Sequence, residues 1–145
     1  MKTRVLLLIV MIVIAFSVNG FAQERTYKNG SVWTVGFVQV KNGMSRDYLN
    51  SLKTTWKVVQ DEGIKQGLIL SYKIFEGPAS NPDDWQIMLM VEYKNMAALE
   101  GNEDKWDAIQ TKVVGSEEDQ KKLRDMRVNM RTMYGTKVMR EINYK

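Results

Sequence analysis

Leu68 to Tyr93 reads as two β-strands joined by a polar turn, and any fold for this chain must accommodate that hairpin. Leu68 to Phe75 (LILSYKIF) and Trp85 to Tyr93 (WQIMLMVEY) alternate apolar with polar or mixed residues. That period of two is the mark of a strand with two unlike faces. Between them, Glu76 to Asp84 (EGPASNPDD) holds both prolines of the chain among other turn formers.

The flanks supply a strand and helices. Val32 to Lys41 is apolar on both faces, with Trp33, Val35, Phe37 and Gln39 on one and Val32, Thr34, Gly36, Val38 and Val40 on the other. Such a strand belongs in the middle of a sheet. Ser45 is a good N-cap, with Asp47 in the first turn. Tyr48, Leu49, Leu52, Trp56 and Val59 then recur at helical spacing, so a helix is expected from about Arg46 to Glu62, with Gly63 just past its end and Gly67 as a second break. After the hairpin, a short helical stretch over Met96 to Leu99 is interrupted at Gly101. Trp106, Ile109 and Val113 form a second stripe that Gly115 stops. Ser116 to Asp119 resembles a capping box, with Asp at the position where Glu or Gln is preferred. Leu123, Met126, Met130 and Met133 continue as a helix expected to end at Gly135, and Glu118 and Lys122 are spaced to pair across one turn. Thr136 to Tyr144 is the last strand, with Val138, Arg140, Ile142 and Tyr144 on one face.

The order is β-α-β-β-α-β with the second helical region split in two. It predicts an α+β ferredoxin-like plait, a four-stranded antiparallel sheet with helices on one face. The other sheet face then offers Val38, Val40, Phe75, Met88, Met90 and Met139 among Thr34, Lys73, Gln86 and Glu92. That is too apolar for simple exposure, so a homodimer through this face is expected. Alternation alone assigns the faces, and a slip of one residue would exchange them.

Residues 1–22 read as a signal peptide: Lys2 and Arg4 form a positive start, Val5 to Phe16 is an unbroken apolar run, and Gly20 and Ala22 are the small residues before the cut. The run is short for a bilayer span. Cleavage after Ala22 would leave a periplasmic or secreted chain with no stable membrane insertion. Residues 23–31 read as a flexible lead-in and 32–145 as a single domain. There is neither cysteine nor histidine. The first absence excludes disulfides, thiol catalysis, iron–sulfur clusters and thiolate zinc sites. The second removes the commonest metal ligand, the usual general base at neutral pH and the usual haem ligand. No phosphate loop, nucleophile elbow or zinc signature is present, so no metal and no cofactor is expected. Charge is uneven: residues 121–145 carry eight basic against two acidic residues, whereas residues 23–120 carry 11 against 15. This basic end is read as a solvated helix face and a charge-protected edge strand. Nucleic acid is not expected as a partner of an exported chain.

The element order, the Gly63/Gly67-to-Leu68 junction and the hairpin together resemble the dimeric α+β barrel superfamily, which includes antibiotic-biosynthesis-type monooxygenases, haem-degrading relatives and stress-responsive α/β-barrel proteins. The resemblance covers nearly the whole of the expected mature chain. It implies a homodimer with a pocket in each subunit between sheet and helices. Haem-degrading members use a histidine ligand, which this chain lacks.

Candidate binding residues follow from that pocket. Trp33, Phe37, Trp56, Tyr72 and Trp85 are expected to converge between sheet and helices, either as plain core or as a platform for a flat aromatic ligand oriented by the Tyr72 hydroxyl. Arg140 falls between Val138 and Ile142 on an apolar strand face. It either reads an anionic ligand, pairs with a carboxylate such as Glu92, or reaches to solvent. The methionines Met88, Met90, Met126, Met130 and Met133 suit an adaptable core. Asp83, Asp84, Glu103, Asp104 and Asp107 lie in loops and early helix turns without calcium-loop spacing. The expected function is an exported protein holding an apolar or aromatic small molecule. Two other readings stay open on the sequence: a cofactor-independent monooxygenase acting on an aromatic substrate, and an interaction protein whose basic end contacts anionic envelope surfaces.

Overall fold

The computed structural model describes residues 25–145. The expected signal peptide and its cleavage point lie outside the described residues. The chain forms β1 (Tyr27–Val40), α1 (Ser45–Ser51), a π-helical segment (Leu52–Trp56), α2 (Lys57–Lys65), β2 (Ser71–Glu76), β3 (Ile87–Tyr93), α3 (Met96–Leu99), α4 (Glu103–Val114), α5 (Glu117–Met130) and β4 (Arg131–Tyr144). The main unit is Asn29–Asn143; a small one includes residues 25–28, Tyr144 and Lys145, within which the Lys145 amide donates to the Thr26 carbonyl at 3.0 Å.

The fold is α+β, built on one four-stranded antiparallel sheet of order β2-β3-β1-β4. β1 pairs with β3 from Val32↔Tyr93 to Val38↔Ile87, and β2 with β3 from Ser71↔Glu92 to Glu76↔Ile87. β4 runs back along β1, with the Lys41 amide on the Met130 carbonyl near one end and the Ser31 amide on the Glu141 carboxylate near the other.

The β1–β3 register decides which residues are buried. Val32, Val38 and Val40 share a face with Ile87, Leu89, Val91 and Tyr93. This face meets Tyr48, Leu52, Leu49, Trp56 and Met130 at one end and Ile69, Met96, Leu99 and Trp106 at the other. The expectation that Val38, Val40 and Thr34 lie outward with Phe75, Met88 and Met90 is therefore corrected. Because β1 is apolar on both faces, its own alternation carries no contrast, and only the pairing settles the matter. The outer face carries Trp33, Val35 and Phe37 with Met88, Met90, Lys73 and Phe75.

Helix ends depart from expectation in two places. Gly63 does not stop the first helical region: the helix continues to Lys65, and Gly67, at φ +69°, takes the left-handed position after it. The Leu68 amide bonds the Gly63 carbonyl at 2.9 Å and the Gly67 amide bonds that of Ile64 at 3.0 Å, a Schellman closure. Gly63 is needed for a different reason, since a Cβ there would lie 2.6 Å from the Trp106 ring. Gly135 does not stop the last helix either. α5 ends at Met130 and β4 runs straight through Gly135, which places Met133 on a strand. Pairing with the long β1 overrides the helical spacing there. β1 itself begins at Tyr27, so part of the expected lead-in is strand. Ser45 is the first helical residue rather than the cap. The capping box at Ser116 and Asp119 is complete, and Lys122 pairs with Glu118 at 2.9 Å.

Gly63→Ala tests the close approach of α2 and α4. On an open helix face the change would help by up to about 1 kcal/mol. Against the Trp106 ring it should instead destabilise by about 1–3 kcal/mol. The expected readout is a lower urea midpoint with an unchanged slope.

Candidate functional site

Along the helix-facing side of β1 the residues run Val32, Thr34, Gly36, Val38, Val40. The small pair in the middle leaves space that the helices do not fill. The result is a cavity of roughly 210 Å³ lined by Thr34, Gly36, Leu89 and Val91 of the sheet, Leu52 and Trp56 of the π-helical segment, and Arg127, Arg131, Met133 and Thr136. A Cβ at Gly36 would stand 3.6 Å from the Met133 methyl and 3.7 Å from the Thr136 hydroxyl, so larger side chains there would intrude on the floor. Wider hollows of about 520 and 460 Å³ lie at the loops and strand ends, lined by residues such as Asn42, Asn81 and Gln86 or Asn29, Lys94 and Asn95. They lie at loops and strand ends, whereas the smaller cavity sits over the middle of the sheet and reaches the π-helical segment and α5, which makes it the better candidate.

The π-helical turn shapes one wall. π-Bulges cluster at functional sites because they rotate side chains out of the α-helical row and loosen backbone carbonyls. Here Leu52 and Trp56, at its two ends, both face the cavity. The Ser51 carbonyl accepts the Thr55 hydroxyl and Arg127 Nη2 at 3.2 Å. Arg127 Nε donates to the Ser51 hydroxyl at 3.0 Å, and Nη2 also meets the Thr55 hydroxyl. Arg131 Nη1 donates to the Tyr48 hydroxyl at 2.7 Å, and its guanidinium lies 5.4 Å from the centre of that ring. Burial lowers the Arg127 pKa, and the like charge of Arg131 lowers it further. Burial raises the Tyr48 pKa, which Arg131 partly offsets.

The residues singled out from the sequence do not gather in one place. Trp56 lines the cavity. Tyr72 packs edge-on against Trp56 with centroids 5.4 Å apart, and its hydroxyl donates to Asp61 at 2.7 Å. Trp33 and Phe37 lie on the outer face, under Lys73 at 5.3 Å and Lys137 at 5.7 Å respectively. Trp85 stacks at a tilt on Phe37, 5.1 Å away. Arg140 is exposed and lines the hollow beside Asn95 and Met96, not the cavity that Trp56 lines. Glu92, its candidate partner, accepts the Ser71 hydroxyl at 2.6 Å instead. Among the described residues no three His, Cys, Asp or Glu side chains gather to hold a metal ion.

Arg127 and Arg131 were not among the sequence candidates, although helical spacing admits Arg127. Leu123, Arg127 and Met130 are spaced by four and three residues. A stripe drawn through Leu123 and Met130 admits Met126 and Arg127 equally by spacing, and the structure exposes Met126 and leaves Arg127 half-buried.

No known protein family matches the chain, and no curated protein does. Among solved structures it is similar to a conserved protein of unknown function from Bacteroides thetaiotaomicron, described as a possible oxidoreductase. The two share 15% identity over 79% of this chain and 100% of that one, with a TM-score of 0.45.

Behind Trp56, the Asp61 carboxyl is held below its ordinary pKa by Lys57 at 2.6 Å and then by the Tyr72 hydroxyl. A depressed folded pKa stabilises above the unfolded value of about 4 and is lost as pH falls through the folded one. Thermal scans should accordingly show the native protein losing stability between pH 4 and lower values more steeply than Asp61→Asn, which lacks this titration.

Proposed function

We propose that this chain is an exported binding protein that holds a small apolar or aromatic molecule in the cavity between sheet and helices. The observation that carries the reading is the partly open space bounded by Leu52, Trp56, Leu89, Val91 and Met133 over the Gly36 floor. An indole wall with aliphatic neighbours suits a flat or branched apolar body. The strand order supports reading the fold as a ferredoxin-like plait of the dimeric α+β barrel kind.

The companion reading is a homodimer through the outer sheet face. It is supported by Phe75, Trp85 and Met139, which are 48%, 37% and 52% exposed in a single subunit beside half-buried Trp33, Phe37, Met88 and Met90. Contiguous apolar surface of this kind marks an interface. A second copy is the proposed occupant, because its own aromatic rings and flexible methionines can pack against the same face.

Native mass spectrometry of the protein purified from its host's envelope tests these points together. The expected species is a dimer whose subunits begin at Gln23 and carry added small-molecule mass. Gly36→Val should keep the dimer and lose the added mass. Equal retention by both proteins, or none by the native one, would remove the pocket reading, and a monomer would remove the dimer.

A further inference from the structure

We propose that the cavity recognises a carboxylate, carried by a small acid with an apolar or aromatic body, through the guanidinium groups of Arg127 and Arg131; this deepens, and rests on, the pocket reading above. Both side chains line the cavity. Among the described residues neither pairs with a carboxylate: their acceptors are the neutral Ser51, Thr55 and Tyr48 groups. Those bonds use Nε and Nη2 of Arg127 and Nη1 of Arg131. Among the described residues Nη1 of Arg127, with Nε and Nη2 of Arg131, has no hydrogen-bond acceptor.

Two half-buried guanidinium groups that line one cavity, close enough to repel each other, create a demand for negative charge there. Their remaining donors match the planar, two-oxygen geometry of a carboxylate better than a point charge would. Apart from the Thr34 and Thr136 hydroxyls the rest of the lining is apolar, and the cavity is small, which selects a compact acid over a nucleotide or a sugar phosphate. The role once considered for Arg140 thus falls to residues at the junction of α5 and β4. Arg140, like Lys73 and Lys137, is an exposed cation, not an enclosed one.

The test titrates the mature chain with benzoate, with its neutral analogue benzyl alcohol, and with inorganic phosphate. Calorimetry reports affinity, and NMR shifts of the Leu52, Leu89 and Val91 methyl groups report location. Benzoate is expected to bind in the cavity about tenfold or more tighter than benzyl alcohol, and to weaken as salt is raised. Arg131→Gln, which leaves the Arg127 contacts in place, should bring benzoate down to the level of benzyl alcohol. Should that variant fail to fold, Arg131→Lys keeps the charge without the fork and should weaken benzoate severalfold with benzyl alcohol unchanged. Equal binding of benzoate and benzyl alcohol, or full benzoate affinity in a folded Arg131 variant, would overturn the proposal while leaving the pocket reading intact. Binding of phosphate without benzoate would overturn the carboxylate assignment. Failure of all three to shift the cavity methyl groups would overturn both readings.

Discussion

The pairing of β1 with β3 governs the rest of the molecule. With Val38 opposite Ile87 and Val32 opposite Tyr93, the rows Val32–Val38–Val40 and Ile87–Leu89–Val91–Tyr93 form one continuous apolar surface for the helices. Each aliphatic side chain withdrawn there contributes about 1.5–3 kcal/mol relative to exposure. A slip of one residue would turn Glu92 toward the helices and Val91 outward, so no neighbouring register competes. The same pairing sets Thr34 and Gly36 beside Val91 and Leu89, and the cavity is the direct result of those two small residues in an otherwise bulky row.

A half-buried arginine facing a cavity needs explaining in a helix that contributes little core. Arg127 occupies the middle of the inward stripe of α5, where a leucine or methionine would pack without withdrawing a charge from water. Its hydrogen bonds to Ser51 and Thr55 satisfy donors but do not neutralise the charge. It also clamps α5 to the π-helical turn, so the charge and the wall formed by Leu52 and Trp56 are held as one unit. Stability alone accounts for the hydrogen bonds; it does not account for the choice of a cation.

The parts of the fold that were legible in the sequence are those where one face differs from the other. β3 alternates cleanly, with Ile87, Leu89, Val91 and Tyr93 in and Met88, Met90 and Glu92 out, and the strand is found where alternation puts it. The stripe of Tyr48, Leu52 and Val59 and the stop at Gly115 are equally plain. β1 was legible as a strand but not as to its faces, since both are apolar, and that ambiguity sent Trp33 and Phe37 to the wrong side of the sheet. The end of α5 was hidden because Met130 and Met133 keep helical spacing across a boundary that only pairing with Lys41 and its neighbours creates. The cavity residues Arg127 and Arg131 were hidden for a related reason: helical spacing admits Met126 as readily as Arg127, and Arg131 falls just past the unforeseen helix end, as the first residue of β4.

The two faces of the sheet are not independent, because β4 serves both. Its first residues, Arg131, Met133 and Thr136, form a wall of the cavity, while Val138, Met139 and Ile142 farther along are exposed. As an edge strand, β4 has β1 on one side only, and an apolar edge is a template for another chain. Most of its length lacks the packing that would hold it rigid in a single subunit. A second copy seated against the exposed portion would restrict the strand that positions Arg131, and so lower the ordering cost that the cavity's occupant must otherwise meet. The proposed dimer and the proposed ligand would then favour each other through one strand.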